Sequence, residues 1–163
     1  MSYRENEIVL EFDAISENEG LARVVIAAFL TKLDPTIEQL DDVKTAVSEA
    51  VTNAIIHAYQ EKGGKVVMRA ALSANENVKI SISDTGIGID NVEQAMQPLY
   101  TTGADKERSG MGFAFMEAFM DGVEVKSEIG KGTTVHMWKS FSKKEKKGYT
   151  ILQAAMWSQD GGL

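Results

Sequence analysis

A chain of 163 residues, 44% hydrophobic and 25% charged, carries enough apolar material for one packed domain and too much for a disordered chain. It has no cysteine, which excludes disulfides and thiolate-based metal or redox sites and fits a reducing cytoplasm. A formal net charge of -7 opposes general attraction to nucleic acid and makes a basic protein surface the easier partner.

The opening segment "MSYRENEIVLEF" has acidic residues where a signal peptide needs an apolar core, and no apolar run approaches membrane-spanning length. The expectation is a cytoplasmic protein with no membrane or direct nucleic-acid contact. From Glu7 to Ala14, Ile8, Leu10 and Phe12 alternate with Val9, Glu11 and Asp13, a weak period-two signal for a first strand. Ser16 and Glu19 have capping-box spacing and predict a helix start, with Leu21, Val24, Val25, Ala28 and Phe29 at helical intervals to about Leu33. "DPT" at 34–36 opens a longer helix running to about Tyr59, stopped by Gly63 and Gly64.

Two antiparallel strands follow, Lys65 to Leu72 and Asn77 to Ser83, around the polar turn "SANE". In the second, Val78, Ile80 and Ile82 share one face, so Asp84 falls by parity on the buried side, where a carboxylate needs a partner. "QPLYTTGADKERSG", from Gln97 to Gly110, is polar, has no apolar period and predicts a functional lid. Met111 to Met120 resumes a helix, and strands at Val123 to Ser127 and Thr133 to Trp138 flank "EIGKG". The order β, α, α, β, β, α, β, β predicts an α+β fold, a two-layer sandwich with helices on one face of a mixed, mostly antiparallel sheet. Residues 1–141 are expected to form the domain. The tail, 142–163, joins lysine-rich "SKKEKKG" to apolar "YTILQAAMW" and reads as a solvated linker, or alternatively as a short packed or partner-binding helix from Tyr149 to Trp157.

Three stretches carry chemistry. On the second helix Val47, Ala50, Val51, Ala54 and Ala58 form one apolar stripe, while Glu49 and Asn53, four residues apart, lie on another face where both heads reach one point. A solvated polar face is the ordinary alternative. "DTGIGI", Asp84 to Ile89, follows the alternating strand: its glycines let a flat ligand approach, and Asp84 could accept a hydrogen bond from an amine such as that of adenine. A plain glycine turn is the competing reading. "RSGMGF", Arg108 to Phe113, places glycines at a helix start, where exposed N–H groups and the helix dipole suit phosphate. Dinucleotide spacing fails in both glycine clusters, since Asn91 and Phe115 occupy the third-glycine positions, and "GKGT" lacks the P-loop frame.

In this order the three stretches resemble the motifs of the Bergerat-type (GHKL) ATPases, a superfamily of histidine kinases, heat-shock-90 chaperones, gyrase B subunits and mismatch-repair proteins. "EAVTNAIIH" looks like the N box, "DTGIG" the first glycine box and "GMGF" the second. Within the superfamily, "SEAVTNAIIHAY", "QPLYTT" and "ERSGMGF" are most similar to the anti-sigma serine kinases of spore-forming bacteria, the sporulation sigma-F branch more than the stress-response sigma-B branch. The similarity spans roughly residues 7–141; Ala58 and "YTTGAD" depart slightly from the pattern.

The resemblance implies a protein serine kinase using ATP and magnesium. Asn53 would bind the magnesium that bridges the ATP phosphates, and Glu49 would be the general base for a serine hydroxyl. Asp84 would read the adenine amine, Gly86 and Gly88 admit the ring, and Thr133 or Thr134 complete that edge. Thr102, Arg108, Ser109, Gly110, Met111, Gly112 and Phe113 would enclose the nucleotide, with lid order depending on ATP or ADP. The implied partners are a sigma-F type sigma factor, which is sequestered, an anti-anti-sigma protein, which is phosphorylated on serine, and a second copy joined at the sheet edge. Arg23 and Arg108 are the candidate partner contacts, and His57 reads as a helix-end histidine with no catalytic part. The alternatives are a sigma-B type kinase, a binding-only anti-sigma factor with ATP as conformational ligand, and a sensor histidine kinase, which would need an upstream phospho-acceptor helix pair.

Overall fold

The computed structural model describes residues 5–97 and 112–142. The lid positions Thr102, Arg108, Ser109, Gly110 and Met111, and the tail from residue 143, lie outside the described residues.

Alternating side chains build the sheet. β1 (Asn6–Asp13), β2 (Lys65–Leu72), β3 (Asn77–Ser83), β4 (Gly122–Glu128) and β5 (Gly132–Ser140) lie in the order β1-β2-β3-β5-β4. Val66, Met68, Ala70 and Leu72 on β2, Val78, Ile80 and Ile82 on β3, and Val135 and Met137 on β5 are buried on one face. Intervening residues such as Arg69, Lys79 and Trp138 are exposed on the other, the period-two pattern expected when one face is covered. Every neighbouring pair is antiparallel, so the expected mixed sheet is antiparallel throughout its described strands. β3 and β4 run in the same direction, but β5 inserts between them and pairs antiparallel with both.

Helices α1 (Ser16–Leu30) and α2 (Ile37–Asn53) pack on each other over the inner face, with α4 (Gly112–Phe119) against α2; α3 (Val92–Ala95) is a single turn. The predicted stripe is borne out: Val47, Ala50, Val51, Ala54 and Ala58 are all buried. Full burial of each Val, Leu, Ile or Met contributes about 1.5–3 kcal/mol. A 3-10 turn, Thr31–Leu33, extends α1 to the predicted end at Leu33.

The predicted capping box at Ser16 does not form. Ile15 is the N-cap and its hydrocarbon side chain cannot cap, while Glu19 faces α2, where its carboxylate accepts from the Ser48 hydroxyl and pairs with Arg23 at 3.2 Å. The capping box stands instead at α2, where Thr36 Oγ1 accepts from the Gln39 N–H at 3.1 Å and Gln39 Oε1 accepts from the Thr36 N–H at 3.0 Å. At the far end of the helical layer, Lys139 Nζ donates to the Phe119 carbonyl at 2.7 Å and lies 3.5 Å from the Asp42 carboxylate. One half-buried cation thus ties β5 to α2 and to the C-terminus of α4. Among the described residues no helix is long and apolar enough to cross a membrane.

Candidate functional site

Past Asn53 the α2 helix widens into a π turn, Ala54–Ala58, closed by the Tyr59 N–H donating to the Ala54 carbonyl at 3.0 Å. Such turns occur often at functional sites, since the extra residue changes where side chains and carbonyls point. Here the Ala58 carbonyl accepts the Ile87 N–H at 3.0 Å. A Cβ on Gly86 would lie 2.3 Å from the same oxygen, so only glycine lets the "DTGIG" loop rest there. Gly88 combines a close approach with a left-handed backbone: φ is +77° and a Cβ would meet the Glu128 carbonyl at 2.3 Å.

Between this loop, α2, the start of α4 and the β4–β5 hairpin lies a cavity of about 430 Å³, within the range of small-molecule sites. Asp84 lines one end with Thr133 and Ile129, as its strand parity required. The Asp84 N–H donates to the Thr133 carbonyl at 2.9 Å, and Asp84 Oδ1 accepts from the N–H groups of Gly86 at 3.0 Å and Thr133 at 3.1 Å. Oδ2 receives no hydrogen bond within the described chain, which leaves one oxygen to accept from a ligand. Burial pushes the Asp84 carboxyl above its ordinary value, and the two N–H donors pull against that rise.

Of the two threonines proposed at this edge, only Thr133 is buried at the cavity. Thr134 turns to the opposite face, where its hydroxyl meets Ser83 Oγ at 3.0 Å. Ser127 Oγ, not expected from the sequence, accepts from the Ile89 N–H at 2.7 Å and lies 2.8 Å from Thr133 Oγ1, bonding the loop to β4 and β5. Its inward parity on β4 was the available signal.

At the other end, Asn53, Gly112 and Phe113 line the cavity, and Glu49 stands beside them, just outside the lining. A Cβ on Gly112 would lie 3.2 Å from Glu49 Oε2 and 3.4 Å from Asn53 Oδ1, so the missing side chain keeps space in front of both polar heads. Burial first, and the nearby Glu19 charge second, raise the Glu49 pKa above the ordinary carboxylate value. His57 also lines the cavity from the π turn, with burial lowering its pKa. Arg23 is half exposed on α1, paired with Glu19 and away from the cavity lining.

The donor set bears on the metal. Among the described residues no group of three or more His, Cys, Asp or Glu could form a protein cage for an ion. A single amide oxygen at Asn53 beside a cavity fits magnesium, which keeps water and substrate phosphates as most of its ligands.

Residues 12–139 match the family described as the histidine kinase-like ATPase domain, and the chain belongs to that family. It is 57% identical over 138 residues to the anti-sigma F factor of Clostridium acetobutylicum, covering 85% of this chain and 96% of that protein. The anti-sigma F factor of Geobacillus sp. is 51% identical over the same length, covering 85% of this chain and 94% of the relative. Within the histidine kinase-like ATPases the chain therefore groups with the anti-sigma F factors. The fold is shared with a crystal structure of the RsbU and RsbW domains of a Mycobacterium tuberculosis protein. That match has TM-score 0.60 and 21% identity, over 83% of this chain and 32% of that one. A blue-light activated histidine kinase of Erythrobacter litoralis aligns at TM-score 0.52 and 20% identity, over 78% of this chain and 63% of that one.

Proposed function

We propose that this protein is an ATP-dependent serine kinase and anti-sigma factor of the sigma-F type, which sequesters its sigma factor and phosphorylates a serine of an anti-anti-sigma protein. The observation that carries this reading is the pairing of Glu49 and Asn53 before Gly112 at one end of a cavity whose other end presents an open oxygen of Asp84. Asp84 Oδ2 accepts from the adenine amine, and the glycines seat the ring. Asn53 would hold magnesium, which when bound would neutralise charge on the transferring group.

Glu49 takes the proton from the serine hydroxyl as its oxygen bonds to the γ-phosphorus and the bond to the ADP oxygen breaks. The raised pKa of Glu49 suits this work, since a stronger base accepts the proton more readily. Thr102, Arg108, Ser109, Gly110 and Met111, outside the described residues, are the further residues proposed to bind the nucleotide. Arg23 and Arg108 meet the protein partners, a second copy docks at the sheet edge, and the protein works in the cytoplasm. The test is incubation with radiolabelled ATP, magnesium and the anti-anti-sigma protein: label on a serine of that protein supports the proposal. Tight sigma-factor binding without any transfer would replace it with a binding-only anti-sigma factor.

A further inference from the structure

We infer that Tyr59 is a positioning residue for adenine selection, holding the Asp84 carboxylate in register from the end of α2; this rests on the ATP-site reading above. The Tyr59 hydroxyl accepts from the Thr85 N–H at 2.8 Å, donates to the Lys65 carbonyl at 2.5 Å and lies 3.2 Å from Thr85 Oγ1. Its ring fills the space at Gly64, where a Cβ would come within 2.3 Å of Cε1. One side chain therefore joins three places: the end of α2, the first residue of β2 and the residue after Asp84.

The π turn makes this possible. Two consecutive residues at the end of the helix that carries Asn53, Ala58 and Tyr59, hold the N–H groups of Ile87 and Thr85. The bond from the Gly86 N–H to Asp84 Oδ1 spans Thr85, so residues 84–86 move together and the Thr85 anchor sets where Oδ2 points. Adenine presents an amine to that oxygen, whereas hypoxanthine presents a carbonyl, which a carboxylate repels. Selection between the two bases depends on the position of Oδ2, and Tyr59 governs it without touching the base.

Tyr59→Phe keeps the ring against Gly64 and removes only the hydroxyl. Thr85 is exposed, so water can take up its N–H and the fold is retained. Binding of magnesium ATP and magnesium ITP to the full chain should show ATP affinity reduced about 3- to 10-fold and the preference for ATP over ITP reduced several-fold, the effect of one or two hydrogen bonds. Turnover at saturating ATP should stay within about twofold. Amide exchange should quicken at Thr85 and Ile87 and stay unchanged in β2 and β3. Unchanged affinity, preference and exchange would overturn the inference, and so would an equal loss for ATP and ITP accompanied by loss of turnover, which marks general loosening. Asp84→Asn separates the two levels. If that change leaves the ATP preference intact, the adenine reading itself fails; if it abolishes the preference and Tyr59→Phe does not, only the role of Tyr59 falls.

Discussion

The two ends of the cavity are built differently. At Asp84 the groups are fixed by a closed set of backbone hydrogen bonds from β5, the glycine loop and the π turn, and the ligand is offered one remaining oxygen. At Glu49 and Asn53 two side chains project from one helix face into space left by Gly112, and among the described residues no such net surrounds them. On the proposed role of Asp84, recognition needs a fixed acceptor, because a carboxylate oxygen accepts from an amine and repels a carbonyl. On the proposed roles of Glu49 and Asn53, phosphate transfer needs room for a phosphate, an ion and an incoming hydroxyl, and both groups stand at the edge of such a gap.

That contrast can be broken by substitution. Glu49→Gln should leave ATP affinity within about twofold and lower the phosphotransfer rate by roughly 10²- to 10⁴-fold, the worth of a general base, as read by single-turnover transfer beside calorimetric titration. A matching loss of ATP affinity would show that the two ends are not separable. Asp84→Asn should do the reverse. The amide keeps the oxygen that accepts from Gly86 and Thr133 and turns an N–H₂ toward the adenine amine, so ATP binding should weaken about 10- to 100-fold while bound ATP still reacts.

Lys139→Met sharpens the comparison from outside. It should cost about 1–2 kcal/mol in denaturant unfolding by removing the contacts to Phe119 and Asp42, with both cavity functions preserved in the folded fraction. The smallest effect is on pH. The base must be unprotonated, so kcat should fall as pH drops through the raised Glu49 pKa, beginning above the ordinary value of 4.5, and Glu19→Gln should move that limb downward. Because the folded pKa is raised, the contribution of Glu49 to stability is present at low pH and lost as pH rises through it. Glu49→Gln should therefore melt higher at neutral pH, with the gain fading on acidification.

The recognition end was also the more legible in the sequence. β2 and β3 begin and end where alternation and the "SANE" turn placed them, and parity alone put Asp84 on the buried side. The apolar stripe of α2 was readable for the same reason: burial imposes a period. Ser16 misled because its spacing to Glu19 is that of a cap, whereas a tertiary partner, Ser48, claims the glutamate. The π turn and the Tyr59 anchor left no local pattern, since both answer to a loop nearly thirty residues away. Glu49 and Asn53 showed a shared face, but spacing could not supply Gly112 in front of them.

The place of β5 in the sheet bears on how the protein is made. Thr133, whose N–H helps fix Asp84, sits on the last of the described strands to leave the ribosome, inserted between β3 and a strand made just before it. A nascent chain exposed only through β3 lacks Thr133, and with it one of the two N–H donors that hold Asp84 Oδ1. On the proposed reading of Asp84, the adenine seat is therefore complete only once the chain has been translated through β5.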